Sequence, residues 1–416
     1  MTPMNDLSRA AGEIENFFDL LTPDANGLSM YSLRLDTMSP WKDSDFTGTD
    51  LFVRIPGYGH LSHAGFMSYE NTGMVMGTFL SAMCFKHLAS GDAGALRKAG
   101  ETFRRIVKLY ELSQKVAPGF FCKPWGGTLT DETSSDQFIY AMSGLDDYYE
   151  LADREERRTI QNMIIAMADF WLSRQYVWNY FGAPLHWREC RFISFMALAL
   201  KYGGGGKFER ELTRLTARQE QDPNTPFQST LKECTRMRED GAQCIFFTPE
   251  NSLSTFLSLE AAMNRFACPR FLDICRDSLE YGSLGIADDG TSYSSLIRYP
   301  GSDQLQEMRT VESRYTPHTD LSPIFGLSAP YRKGGMQSAM FSRFALASEK
   351  FIPDHGVRVS VERILRKIGE HHLTWYEDPY RVFPPEIRWM TNVFSGDAAA
   401  HWLWCYWKMH LLDSLK

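Results

Sequence analysis

The sequence predicts an all-α fold in which helical hairpins close into a ring, an (α/α) toroid. Two observations carry that expectation. Amphipathic segments recur in pairs joined by short polar turns, the pattern of antiparallel helical hairpins. Long aromatic-rich loops separate the pairs, and no run of strands alternating with helices offers a parallel sheet instead. A ring buries so many one-sided helices economically, with inner helices covered on both sides and the loops gathered at one end.

In chain order, an amphipathic piece around Ile14, Phe17, Phe18 and Leu21 ends at a Pro-Asp-Ala-Asn-Gly turn at 23 to 27. Residues 36 to 69 read as irregular, with one short strand at 51 to 55. A helix over 70 to 88 follows, stopped by Ser90-Gly91-Asp92. Its partner, 93 to 115, repeats Leu96, Ala99, Phe103, Ile106, Val107 and Tyr110 on one side. The pair 136 to 151 and 154 to 171 comes next, and Asp153 with Glu156 forms a capping-box start for its second member. Helices are predicted again over 189 to 201, 207 to 219, 252 to 265 and 269 to 281, with a strand at 244 to 248. The stretch 285 to 334 reads as loops with a hairpin around 293 to 299. Helical pattern returns at 336 to 347, 357 to 373 and 397 to 412, where Asp397 is expected to cap the last helix. His401, Trp402, Trp404 and Trp407 are expected to pack in the core. The whole chain, 1 to 416, is expected to be one domain, with 1 to 69 an extension that adds loops to the mouth of the ring.

Hydrophobic residues at 44% and charged residues at 23% describe an ordinary globular protein, with no segment that reads as a bilayer span. The net charge of −7, with Lys and Arg scattered, speaks against nucleic acid as a partner. Eight cysteines without regular spacing predict free thiols. The N-terminus carries no secretory pattern, so a cytoplasmic location is expected, or a periplasmic one if a leader was removed. His371 and His372 point to opposite sides of a helix, so no metal is expected, and the glycines at 203 to 206 lack the Lys-Ser/Thr of a phosphate loop. No cofactor is expected.

The stretch WGGTLTDETSSDQ, 125 to 137, holds Asp131, Glu132 and Asp136, hydroxyls and an aromatic ring between two helical segments. Loops held by a rigid scaffold are favoured places for function. Its glycines let backbone approach a ligand, and Trp125 suits stacking on a sugar face. A plain alternative is a helix start, with Thr133 or Ser134 as cap and Asp136 in the first turn for the helix dipole.

The segment SDQFIYAMSGLDDYYELAD, 135 to 153, resembles the helix start that carries the catalytic aspartate in the unsaturated glucuronyl and rhamnogalacturonyl hydrolases, six-hairpin glycosidases with an (α/α)₆ barrel. The matching position is Asp136. SHAGFMSYENTG, 62 to 73, resembles their His-Asp-x-Gly-Phe segment, and GDAAAHWLWCYW, 396 to 407, is similar to the closing helix of related uronidases. The resemblance implies an (α/α)₆ barrel acting on a uronic-acid-containing oligosaccharide. In those families a single aspartate protonates a C4=C5 double bond and then deprotonates the water attacking C5, a role that falls to Asp136. Ala64 stands where they carry a second aspartate, which implies that a second acid comes from elsewhere.

Glycosidic cleavage needs a proton donor and a second carboxylate, and Asp131, Glu132 and Asp136 are the candidates. For an anionic sugar, Arg188 and Arg314 suit a bidentate clamp, with His63, His186, His318, Trp125 and Trp187 as further substrate contacts. Three alternatives stay open: a sugar epimerase of the N-acylglucosamine 2-epimerase type using His186 and His318, a lyase using Tyr315 and His318, and a binding toroid without chemistry. The linkage, the sugar and the oligomeric state are not legible in the sequence.

Overall fold

The computed structural model describes residues 4–22, 27–46, 61–221, 234–247, 249–266, 268–307, 315–317, 323–325, 331–353, 356–369, 372–383 and 385–415. Helices α1 (Met4–Leu20), α2 (His63–Tyr69), α3 (Thr72–Ser90), α4 (Ala93–Ser113), α5 (Ser135–Tyr148), α6 (Arg154–Ser173), α7 (Ile193–Lys201) and α8 (Gly206–Gln221) occupy the first half. The second half holds α9 (Pro249–Met263), α10 (Pro269–Leu284), α11 (Gly335–Ser348), α12 (Val357–Ile368) and α13 (Gly396–Ser414).

Six of these form an inner ring: α3 packs on α5, α5 on α7, α7 on α9, α9 on α11, α11 on α13, and α13 closes back on α3. The inner helices are apolar on nearly every side, which is what burial on two faces requires; α3 is buried continuously from Thr72 to Phe85. Outer helices are one-sided. In α4 the buried residues Ala95, Ala99, Phe103, Ile106 and Leu109 form a single stripe, and Asp92 caps its start by accepting from the Gly94 and Ala95 amides at 2.7 and 3.2 Å. The capping box expected at Asp153 and Glu156 starts α6. Each inner helix has an outer partner, and for α13 that partner is α1. Part of the stretch expected to be an extension, Met4–Leu20, therefore completes the outer ring instead. The expected (α/α)₆ barrel is the architecture found.

Inner helices run parallel, so the long connections that precede them gather at one end, the mouth. Short antiparallel sheets decorate these connections. Ser32–Arg34 pairs with Val393–Ser395 just before α13, and the largest sheet orders Thr235–Met237, Gln243–Phe246, Ser295–Arg298 and Gln306–Glu307. The hairpin expected around 293 to 299 is not formed. Ser292–Tyr293 pairs with Arg332–Lys333 while Ser295–Arg298 joins the larger sheet, because the chain turns between two layers there. The strand expected at 51 to 55 lies outside the described residues.

Helices α3 and α5 approach at two glycines. A Cβ on Gly77 would stand 2.2 Å from the Tyr140 carbonyl oxygen, and one on Gly144 would stand 2.3 Å from that of Gly77. The obstacles are backbone, so neither helix can yield without moving the ring. Gly77→Ala is expected to destabilise the protein by about 1–3 kcal/mol despite its better helix propensity. Urea denaturation checks this, and an unchanged midpoint would show that the contact is not tight.

Candidate active site

The starts of α3, α5 and α13 are stitched together at the mouth by side-chain amides. Gln137, buried in the first turn of α5, donates to the Glu70 carbonyl and to Asn71 Oδ1 at 3.3 and 3.2 Å, and accepts from the Gly73 amide at 3.0 Å. Asn71 in turn donates to Asp397 Oδ2 at 3.0 Å. Three helix N-termini, whose dipoles favour negative charge, thus bring three carboxyls, Glu70, Asp136 and Asp397, together at one end of the ring.

Each carboxyl has its own surroundings. Asp397 is 0% exposed; burial pushes its carboxyl up to about 7, opposed by the Asn71 bond, and its Oδ1 finds no hydrogen-bond partner among the described residues. Asp136 keeps 26% of its side chain exposed and forms an ion pair with Arg191 at 2.8 Å, whose guanidinium also donates to Ser135 Oγ at 3.2 Å. Glu70 accepts from the Trp125 indole at 2.6 Å and pairs with Lys123; burial still raises it above its usual value.

Below this layer, one helical turn places Tyr140 beneath Asp136 and His401 beneath Asp397, since residues four apart share a helix face. The two rings meet edge to face at 5.6 Å. Tyr140 feels both carboxylates, which, after burial, push its hydroxyl above its usual range. Burial, then the nearby Arg343, holds the His401 imidazole well below its usual value and therefore neutral. The result is a polar shaft through an apolar ring, ionisable at the mouth and neutral beneath. A pair of carboxyls in unlike settings over a neutral imidazole and phenol suits proton transfer to and from a sugar.

The residues singled out in the sequence are partly gathered here. The two stretches around Ala64 and Trp125 do meet: a Cβ on Gly65 would stand 2.9 Å from Gly126 Cα. Asp136 lies in the first turn of α5, ion-paired with Arg191. Arg188 and His186 are exposed, and Asp131 is exposed beside the Trp178 indole, which donates to its carbonyl at 2.9 Å. His63 opens α2 with its ring stacked on Phe46 at 5.7 Å. Arg314 and His318 lie outside the described residues, as do the side chains of 315 to 317.

Four expectations are corrected. Trp125 is no open sugar platform: it is 1% exposed, between Phe66 and Phe181 at 5.3 and 5.7 Å. Glu132 is 0% exposed, and its two oxygens accept from the Phe181 and Gly182 amides at 3.0 Å each, which occupies the carboxylate in holding a turn. Trp187 is 8% exposed and packs edge-on against Trp171 and Tyr180. Asp397 is not the cap of α13; Ser395 is, accepting from the Ala398 amide at 3.2 Å, and this frees Asp397 to accept from Asn71.

Arg191, Tyr140 and Arg343 were not legible as site residues. A signal existed for one of them: Arg343 is the only charge within the otherwise uncharged run 334 to 348. Among the described residues no cluster of three or more His, Cys, Asp or Glu is arranged to hold a metal, and no helix is long and apolar enough to cross a membrane.

No protein-family model matches the sequence, and no curated protein matches it either. Solved structures do match its fold. The cellobiose 2-epimerase from Spirochaeta thermophila aligns over 100% of this chain and 99% of its own, at 14% identity and a TM-score of 0.52. A sugar epimerase from a ruminal bacterium aligns over 97% and 98%, at 11% identity and 0.54. An unsaturated glucuronyl hydrolase specific for heparin aligns over 99% and 98%, at 9% identity and 0.53. The fold is shared along its whole length with epimerases and a hydrolase alike.

Proposed function

We propose that this chain is a carbohydrate-active enzyme that hydrolyses a glycosidic bond of an oligosaccharide at the mouth of the ring, with Asp397 and Asp136 as its two carboxyls. The observation that carries this is their contrast: Asp397 is buried and holds a proton up to about pH 7, while Asp136 is half-exposed and ion-paired with Arg191. Glycosidic cleavage asks for that division of labour, a proton for the leaving oxygen from one carboxyl and a charge from the other to act on water or on the sugar. A uronic acid is the proposed sugar class. The sequence resemblance around Asp136 supports it, and exposed Arg188 offers a guanidinium for its carboxylate.

A second reading is a sugar epimerase or isomerase, favoured by the neutral His401 imidazole directly beneath the carboxyls. The pair His186 and His318 has no such support, since His186 is exposed on the Ala183–His186 strand.

A panel of oligouronides and neutral disaccharides separates the readings. For the hydrolase, Asp136→Asn is expected to lower kcat for release of reducing ends by roughly 10²–10⁴ with little change in melting temperature, and His401→Ala to cost far less. Epimer formation by NMR with the opposite ranking of the two variants would replace hydrolysis by epimerisation. Sugar binding without turnover in the wild type would reduce the protein to a binding toroid.

A further inference from the structure

A cavity lies at the end of the ring opposite these helix starts. It encloses about 390 Å³ between the later turns of the inner helices, and Phe85, Leu257, Leu346 and Trp404 give it apolar walls. Asp147 and Lys408, also in its lining, each stand eleven residues beyond Asp136 and Asp397 on the same helices. At ~1.5 Å per residue that places them about 16 Å from the mouth.

Arg343 closes this cavity on its inner side. The residue is 1% exposed, and a guanidinium keeps its charge at any working pH. Its Nη1 donates to Thr78 Oγ1 at 2.9 Å and stands 3.5 Å from His401 Nδ1, and the rings of Tyr140 and Trp404 face it at 5.3 and 4.9 Å. Its Nε finds no hydrogen-bond partner among the described residues. Asp147 and Glu260 are near enough to favour its charge, yet among the described residues no carboxylate forms an ion pair with it. Buried charges are normally paired and hydrogen-bonded, so this guanidinium is an exception that asks for a cause.

The other charges around the cavity mostly cancel. Lys350 pairs with Glu260 at 3.1 Å, and Arg358 is held by Glu349 and by Asp413 at the outer rim, at 3.0 Å each. At the inner end, next to the apolar walls, Arg343 and Lys408 stand against Asp147, a local excess of one positive charge. Lys408 extends over the Phe85 ring at 4.4 Å, beside the apolar wall.

We propose that this cavity is a second binding site, for a small organic monocarboxylate with an apolar body. The carboxylate takes the unpartnered edge of Arg343 and the Lys408 ammonium, and the body rests on Phe85, Leu257, Leu346 and Trp404. A single negative charge matches the excess, and a planar carboxylate matches a guanidinium edge. The site stands whichever activity the mouth has.

Calorimetric titration of the intact protein with benzoate tests it, with benzyl alcohol as the neutral counterpart and phenyl phosphate as the dianion. Benzoate is expected to bind once per chain with a dissociation constant below about 1 mM. Lys408→Gln weakens it at least about tenfold, the loss of one charge-assisted contact, while Lys408→Arg and Asp136→Asn leave it unchanged. Three results would overturn the proposal: no benzoate binding, equal binding of the alcohol, or binding lost in Asp136→Asn and kept in Lys408→Gln, which would put the anion at the mouth. Tighter binding of phenyl phosphate than of benzoate would overturn the assignment to a monocarboxylate.

Discussion

Replacing Asp397 by Asn is expected to cut kcat for the proposed oligosaccharide cleavage by roughly 10²–10⁴ and at the same time to make the protein more stable at pH 8. Both effects have one origin. The carboxyl is buried, and its value of about 7 lies above the ordinary 3.8. Between those two values the folded chain holds a proton that the unfolded chain has released. The stability this contributes is fully present below about pH 4 and lost as pH rises through about 7, because an ionised carboxylate must then be kept away from water. Asp147, raised to about 6 by burial, and Glu70, raised by burial, work in the same direction. Wild-type stability is therefore expected to decline across pH 4 to 7, and Asp397→Asn, which keeps the shape and an acceptor for Asn71, removes the largest single part of that decline. The gain at pH 8 is on the order of 2–4 kcal/mol. Urea denaturation at pH 5 and pH 8, run beside turnover, measures both. A variant that stays active, or one that gains nothing at pH 8 relative to pH 5, would remove Asp397 from the proposed chemistry.

Glu132→Ala is expected to have the largest effect on stability. The carboxylate is fully buried, and its two oxygens satisfy the amides of Phe181 and Gly182 at 3.0 Å each, at the turn between Val177–Tyr180 and Ala183–His186. Phe181 itself has a φ of +48°, a backbone state that a bulky residue holds only when its surroundings enforce it. Removing the carboxylate leaves the buried Phe181 amide without an acceptor at about 1–3 kcal/mol and unpairs the Gly182 amide, on the exposed side of the turn, at less, so a loss of about 2–4 kcal/mol follows, and the Phe181 ring loosens from Trp125. Glu132→Gln keeps one acceptor and is expected to fall between. If Glu132→Ala instead melted like the wild type while turnover vanished, the residue would return to the role of acid that the sequence suggested.

These two residues also show where reading the sequence stops. Asp131, Glu132 and Asp136 look alike along the chain, three acids within six positions. Helix geometry separates one of them, because Asp136 falls in the first turn of α5. Nothing local shows that Glu132 turns inward to a hairpin some fifty residues later in the chain. Asp397 errs in the opposite sense: its place at a helix start made it look like a cap, and only the neighbouring Ser395, which takes that task, releases it to the mouth.

What the sequence by itself determined is the ring and its polarity. Stripes of apolar residues, Asp92 and the Asp153 box as helix starts, and long loops always on the same side of an inner helix follow from periodicity and capping, which act within a few residues. Only the tertiary structure decided which carboxyls come together at the helix starts, that Arg191 pairs with Asp136, and that Arg343 is buried beside a cavity. Those facts depend on what stands across the ring, tens to hundreds of residues away, and desolvation and pairing there, rather than residue type, set whether a side chain is ionised, paired or merely packed.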